Sequence, residues 1–256
     1  RKLEKQDTLE IRSRRIFIDE SLSEAAMGSS DKAVGILTYF VNELRVARAS
    51  RPRIAGRMPA TQATPYSMVT AMGSSPDADS IVPVDMQDDE ILVNQWLADD
   101  LGAKAGDLIE VRYFTLTAMR KLQEQAASFR IREIIPMTSP AVDPNFMPDF
   151  PGLADVDNCR DWDSSIPIDL DKIRQKDEEY WDKYRGAPKA FITLEAGRKM
   201  WENRYGNLTA VRYPGSTVSA ESLTRSLLKT VNPASVGLFF QPVRQSGMKA
   251  GGGSTD

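Results

Sequence analysis

Apolar and polar positions alternate loosely from Thr8 to Ile18, which predicts a long exposed strand. Asp19 then opens a short helix to Met27, and Gly28 stops it. From Val34 to Val46 the alternation gives way to an apolar, β-branched and aromatic stretch, as expected of a buried strand. Residues 47–62 are basic and punctuated by Pro and Gly, the pattern of a surface loop. Tyr66–Ala71 supplies a second short strand, and a polar loop with Gly73 and Pro76 leads on to Glu90.

The clearest local pattern follows. Ile91-Leu92-Val93 reads as a strand, and Asn94 is placed to cap a helix whose apolar side is Leu97, Ala98 and Leu101. Gly102 stands where a left-handed helix end belongs. Gly106-Asp107 turns the chain into a strand over Leu108–Phe114, and Ala127–Ile135 makes another. Strand, short helix, Gly turn, strand and strand together point to a mixed sheet or a small barrel.

Between Pro136 and Pro188 the composition shifts to a proline-rich, acidic and aromatic segment. Residues 143–182 hold 12 carboxylates against Arg160, Lys172, Arg174 and Lys176, a local balance of −8. Leu170, Ile173, Tyr180, Trp181 and Tyr184 fall on a helical stripe, with Asp169 as its N-cap and Gly186 and Pro188 as its stop. A segment this long with embedded rings is expected to be a packed insertion.

The last third is regular again. Thr193 caps a helix with Leu194, Gly197, Trp201 and Tyr205 on one side, closed by Gly206. Leu208–Tyr213 is a strand. Ser219 caps a helix with Leu223, Leu227, Leu228 and Val231 inward, and Val236–Val243 is a final strand.

Composition narrows the chemistry. The 256 residues contain no histidine, which removes Ser-His-Asp and Cys-His catalysis and the common zinc sites. Cys159 is the single cysteine, so no internal disulfide forms, and without a histidine partner a structural thiol is the better reading. The net charge of −3 creates no basic field for nucleic acid, and the basic loop with Arg45, Arg48, Arg51, Arg53 and Arg57 lacks interleaved aromatics. The longest apolar run, Val34–Val41, is far short of the ~20 residues of a membrane span. With Arg1 at its start and a Gly-rich end, the chain reads as a piece of something longer.

Several motifs fail on inspection. No phosphate-binding loop occurs, because no Gly-Lys pair and no GxGxxG are present. Asp155, Asp157, Asp161 and Asp163 invite a calcium reading, but Cys159, Arg160 and Ile166 occupy the positions that an EF-hand reserves for an oxygen ligand, Gly and Glu. Ser29–Lys32 and Ser246–Lys249 match SxxK without the partner motifs of penicillin-recognising enzymes. We therefore expect no catalytic residue, no cofactor and no metal.

Three stretches together carry a resemblance. Ile91–Val111 (ILVNQWLADDLGAKAGDLIEV) resembles the strand, helix, Leu-Gly, Gly-Asp, strand unit of the extracytoplasmic domain in FtsX-like and MacB-like ABC-transporter permeases. Asp149–Asp155, Cys159–Trp162 and Tyr180–Ile192 resemble the long insertion of a large-permease subgroup, and Trp201–Arg212 the segment after it. The resemblance spans about residues 8–245. It implies an α+β fold of two lobes: a discontinuous membrane-proximal α+β lobe from residues 1–33 and 206–246, and an inserted β-rich lobe over 34–205 carrying the 136–188 insertion. Residues 247–256 would be a flexible linker toward a transmembrane helix. It also implies a non-enzymatic domain outside the inner membrane, in the periplasm. Such a domain couples ATP hydrolysis by a cytoplasmic ABC subunit, reached through absent transmembrane helices, to a periplasmic cargo or partner protein. A double-psi-barrel-like soluble enzyme subunit or cofactor-binding domain is the alternative, since such barrels use a turn much like Asn94–Val111. Within the insertion, Phe146, Phe150 and Trp162 are the candidate partner-binding residues. Phe146 and Phe150, flanked by prolines, are expected to be exposed.

Overall fold

The structure, a computed structural model, describes residues 2–3, 8–46, 62–74, 80–117, 119, 121–163, 166–215 and 219–232. Most of the basic loop, the strand expected at 236–243, the second SxxK match and the 247–256 linker lie outside the described residues.

Among the described residues, a mixed α+β fold is built on a nine-stranded sheet, six of whose strands close into a barrel. The chain begins with β1 (Lys2–Leu3), β2 (Thr8–Arg12) and α1 (Glu20–Met27), which Asp19 caps by accepting from the Ser21 amide. The expected strand over 8–18 is shorter than its alternation implied. After Arg12 the chain turns, and only Ile18 rejoins the sheet, through an isolated bridge to Leu208. Next come β3 (Val34–Val46), β4 (Ala63–Met72), β5 (Glu90–Asn94), α2 (Gln95–Leu101), β6 (Leu108–Leu116) and β7 (Leu122–Ile135). After the insertion follow β8 (Ala190–Thr193), α4 (Leu194–Trp201), β9 (Ala210–Pro214) and α5 (Ala220–Thr230).

Closure depends on β3. One edge pairs antiparallel with β4 along most of its length. The other edge is shared, with Val34–Ile36 pairing β9 and Glu43–Val46 pairing β6. The second pairing completes the ring β3-β4-β8-β5-β7-β6, and the first adds β9, β2 and β1 beside it. Between the two pairings the strand edge needs other partners. The Thr38 amide donates to Thr209 Oγ1 at 3.0 Å, and the Tyr39 hydroxyl donates to the Phe114 carbonyl at 2.6 Å. Trp201 fills the fork, stacked on Tyr39 at 5.1 Å and edge-on to Tyr113 at 6.0 Å.

Inside the barrel lie Leu37, Val41, Leu44, Val69, Ile91, Val93, Ile109, Val111 and Phe129, with α2 and α4 closing over them through Leu97, Leu101 and Ala196. The outer face of β3 and β4 is apolar too: Phe40, Tyr66 and Met68 point away from the barrel and meet the insertion. That second buried face is why these strands show no polar alternation.

The insertion contains α3 (Gln175–Tyr184), and its start corrects the expected helix. Asp169 does cap a turn, but only the single 3-10 turn Leu170–Lys172. Ile173 and Arg174 are then extended, and α3 begins afresh at Gln175. Leu170 is accordingly exposed. Two further residues fall off their expected stripes. Tyr205 lies beyond the end of α4 and is exposed, and Leu228 on α5 points to solvent while Leu223 is buried. The caps at Asn94, Thr193 and Ser219, and the left-handed Gly102, stand where the sequence puts them.

Candidate functional site

The insertion meets the rest of the fold through two clusters of charge, each centred on a buried carboxylate. In the first, the Arg174 guanidinium lies between two carboxylates, 2.7 Å from Asp100 Oδ2 and 2.7 Å from Asp177 Oδ2. A further bond runs to the Ala63 carbonyl at 3.1 Å. Asp100 also accepts from Thr64 Oγ1 at 2.6 Å and from Lys176. Burial works to raise the Asp100 carboxyl, yet the hydrogen bonds from Lys176, Thr64 and Arg174 outweigh it and hold the group below its usual range. This cluster ties α2 and β4 of the barrel to α3 of the insertion.

Lys189 sits beside it, at the start of β8. Its amide donates to the Met68 carbonyl and its carbonyl accepts from the Asn94 amide, so the residue is locked between β4 and β5. Its ammonium lies 4.3 Å from the Trp96 ring centre, 4.7 Å from that of Tyr180, and 3.9 Å from Asp177 Oδ1. Burial pushes the amine down to about 8, and Asp177 opposes the shift. The Tyr180 hydroxyl accepts from Asn94 Nδ2 at 3.0 Å and donates to the Ala187 carbonyl at 3.0 Å, which fixes one ring of this cage. A cavity of about 30 Å³ adjoins the lysine, lined also by Tyr66, Trp162, Asp177 and Cys159. That is room for a water or two and not for an organic substrate. Cys159 is buried, and burial followed by the Glu178 carboxylate raises its thiol to about 11, so it is a poor nucleophile.

The second cluster joins the insertion to the strands from the chain ends. Glu10 on β2 faces Arg212 on β9, with Nε 2.7 Å from Oε2. Arg12 reaches the other Glu10 oxygen at 3.1 Å and donates to the carbonyls of Met147 and Asn145. Arg212 reaches Asp143 at 3.2 Å and lies flat over Phe146, 3.9 Å from its centroid. Arg12 and Arg212 thus meet Glu10, Asp143 and, at 3.6 Å from Arg12, the exposed Asp149 at the junction of β2, β9 and the insertion.

The sequence-based site residues behave differently from expectation. Phe146 and Phe150 are buried, at 3% and 8% exposure, so the expectation that they are exposed is overturned. Phe146 packs edge-on against Phe191 of β8 at 5.7 Å, and Phe150 joins the rings that cover β3 and β4. The outer barrel face needs an apolar lid, and the proline-flanked loop supplies it. Trp162 is half-buried, edge-on to Phe40 at 5.8 Å and to Trp181 at 5.1 Å. All three rings pack against neighbours, and Trp162 keeps part of its surface exposed. In the acidic loop, the Asp157 carbonyl instead accepts from Trp181 Nε1 at 3.0 Å and from Arg185 at 2.9 Å. Sequence reading missed Lys189, Asp100, Arg174, Glu10 and Arg212. Glu10 carried a faint signal, since it sits at one position of an otherwise apolar-polar strand pattern that the register turns inward.

No protein-family model matches this chain, and no curated protein matches it significantly. Among solved structures the fold is similar to the periplasmic region of MacB from Actinobacillus actinomycetemcomitans, with a TM-score of 0.39 and 7% identity, over 88% of this chain and 76% of that one. A likeness of that degree concerns the path of the chain alone, and no activity is taken from it.

Proposed function

We propose that this chain is the extracytoplasmic domain of an ABC-transporter permease, a non-enzymatic transducer that links a cytoplasmic ATPase to cargo or a partner protein outside the inner membrane. The observation that carries the reading is that the first and last described segments of the chain meet. The β2 strand pairs antiparallel with β9 over Thr8–Arg12, and α1 packs beside α5 through Leu22, Met27, Leu223 and Leu227. A domain held between two adjacent membrane helices needs its ends together. In this reading residues 1–33 and 206–246 form the membrane-proximal lobe and 34–205 the outer one. The Glu10–Arg212–Asp143 cluster and the Trp201 fork lie at their joint. The sequence resemblance over residues 8–245 supports the same assignment. Among the described residues no helix is long and apolar enough to cross a membrane.

The test is topological. Asp155→Cys puts a thiol at an exposed position, while the native Cys159 is buried and gives little background. In spheroplasts making the full-length protein, a membrane-impermeant maleimide should label this variant without lysis. Labelling only after lysis sinks the proposal. It would favour instead the soluble enzyme subunit or cofactor-binding domain, for which the closed six-stranded barrel is the supporting observation.

A further inference from the structure

Most large apolar side chains exposed among the described residues stand singly: Val84, Leu108, Leu170, Tyr205 and Leu228. Leu116, Met119 and Leu122 do not. They are 54%, 78% and 37% exposed and share the tip of the β6–β7 hairpin. The two strands pair to the very end, Leu116 opposite Leu122, and the Thr117 amide donates to the Lys121 carbonyl at 2.9 Å. The tip is therefore closed by strand pairing up to Leu116 and Leu122. Its base is rigid: Tyr113 is buried, and the Phe114 carbonyl is held by Tyr39. Beyond Arg112, β6 has left β3, and every residue of β7 from Leu122 to Ala126 is exposed. The outer end of the hairpin, Leu116 and the start of β7, thus projects beyond the pairing with β3.

Charge separates this tip from the rest of the protein. From Tyr113 to Gln123 the sequence has no carboxylate and includes Arg120 and Lys121, whereas the whole chain carries −3. Exposed apolar side chains at the apex, with cations adjacent in sequence, match a bilayer interface, where apolar groups enter the acyl boundary and cations meet headgroup phosphates. A protein partner fits less well. A stable interface takes about 800 Å² from each side, far more than three side chains on a turn can offer. Direction agrees. Because β6 runs antiparallel to β3, the tip lies toward the Val34 end, where β9 and β2 are added.

The geometry points to the β6–β7 hairpin tip as a membrane-contacting finger that inserts Leu116, Met119 and Leu122 into an anionic lipid surface. This goes beyond the transporter reading and stands on the hairpin itself, so its failure would leave the labelling test above unaffected.

Vesicles of equimolar phosphatidylglycerol and phosphatidylcholine, and vesicles of phosphatidylcholine alone, are mixed with the 256-residue chain and sedimented. The chain should partition onto the anionic vesicles at least tenfold better. Leu116→Ser, Met119→Ser and Leu122→Ser combined should reduce that partition at least tenfold with an unchanged melting temperature. As a second readout, the fluorescence of Met119→Trp should shift to the blue on adding anionic vesicles. Sedimentation equal for the triple variant and the parent, or no partition and no shift, overturns the inference and leaves a protein partner as the explanation for the exposed tip.

Discussion

Glu10 and Arg212 lie directly opposite one another in the β2–β9 ladder, both almost fully buried, with Nε 2.7 Å from Oε2. Buried ions of this kind contribute little net stability over an apolar pair, but removing one partner strands the other. Here the consequence is sharpened, because Glu10 also holds Arg12 and Arg212 also holds Asp143.

Glu10→Gln should therefore lower unfolding stability by about 3–5 kcal/mol, because two buried guanidinium groups lose the one buried carboxylate they share and keep only Asp143 and the exposed Asp149. Adding Arg212→Met should cost less than the sum of the two single changes. A double-mutant cycle in urea checks this, and strict additivity would show that the pair does not act as a unit.

Lys189 gives a pH signature. Its folded amine is depressed to about 8 from 10.5, so between those values the unfolded chain binds more protons than the native one. Stability must then rise with pH across that window, by up to a few kcal/mol, and the penalty of the buried charge is fully present below pH 8. Above pH 10 the gain is opposed, because burial raises Tyr39 to about 12 and its unfolded form ionises first. Urea unfolding from pH 7 to 9.5 should show the rise in the parent and its loss in Lys189→Met.

Phe146→Ala should cost about 3–5 kcal/mol, the usual range for deleting a buried ring, and lower the melting temperature by about 10 °C. The ring is packed between Phe191 and Arg212. An unchanged melting temperature would restore Phe146 as a free contact residue.

Close approach of α4 to the barrel sets a fourth expectation. A Cβ on Gly197 would fall 2.1 Å from that of Ala71 on β4, with no flexible side chain to give way. Gly197→Ala should lose about 1–3 kcal/mol despite its better helix propensity. Gly73→Ala, whose new Cβ meets nothing nearer than 4.0 Å, is the control and should change the midpoint little.

The features legible in the sequence are those settled within a few residues. Asn94 accepts from the Leu97 amide at 2.8 Å, Thr193 from Ala196, Ser219 from Ser222, and Gly102 takes a left-handed φ of 58°. Each is a contact across a few positions that any fold would reuse, so these three helix starts and the end of α2 were readable from sequence alone, unlike the start of α3 and the end of α4. The apolar, β-branched and aromatic stretch of β3 likewise announced burial. What it did not announce was the cover. Whether Phe146 faces solvent depends on an apolar barrel wall made of strands far away in the chain. The barrel itself closes through Glu43–Val46 and Ile109–Arg112, more than 60 positions apart. The depressed amine of Lys189 has the same origin: Trp96 from α2 and Tyr180 from α3 enclose it. Propensity and capping are short-range energies written into neighbouring residues. Burial and charge are properties of surroundings, and only the tertiary structure decided what surrounds each of these groups.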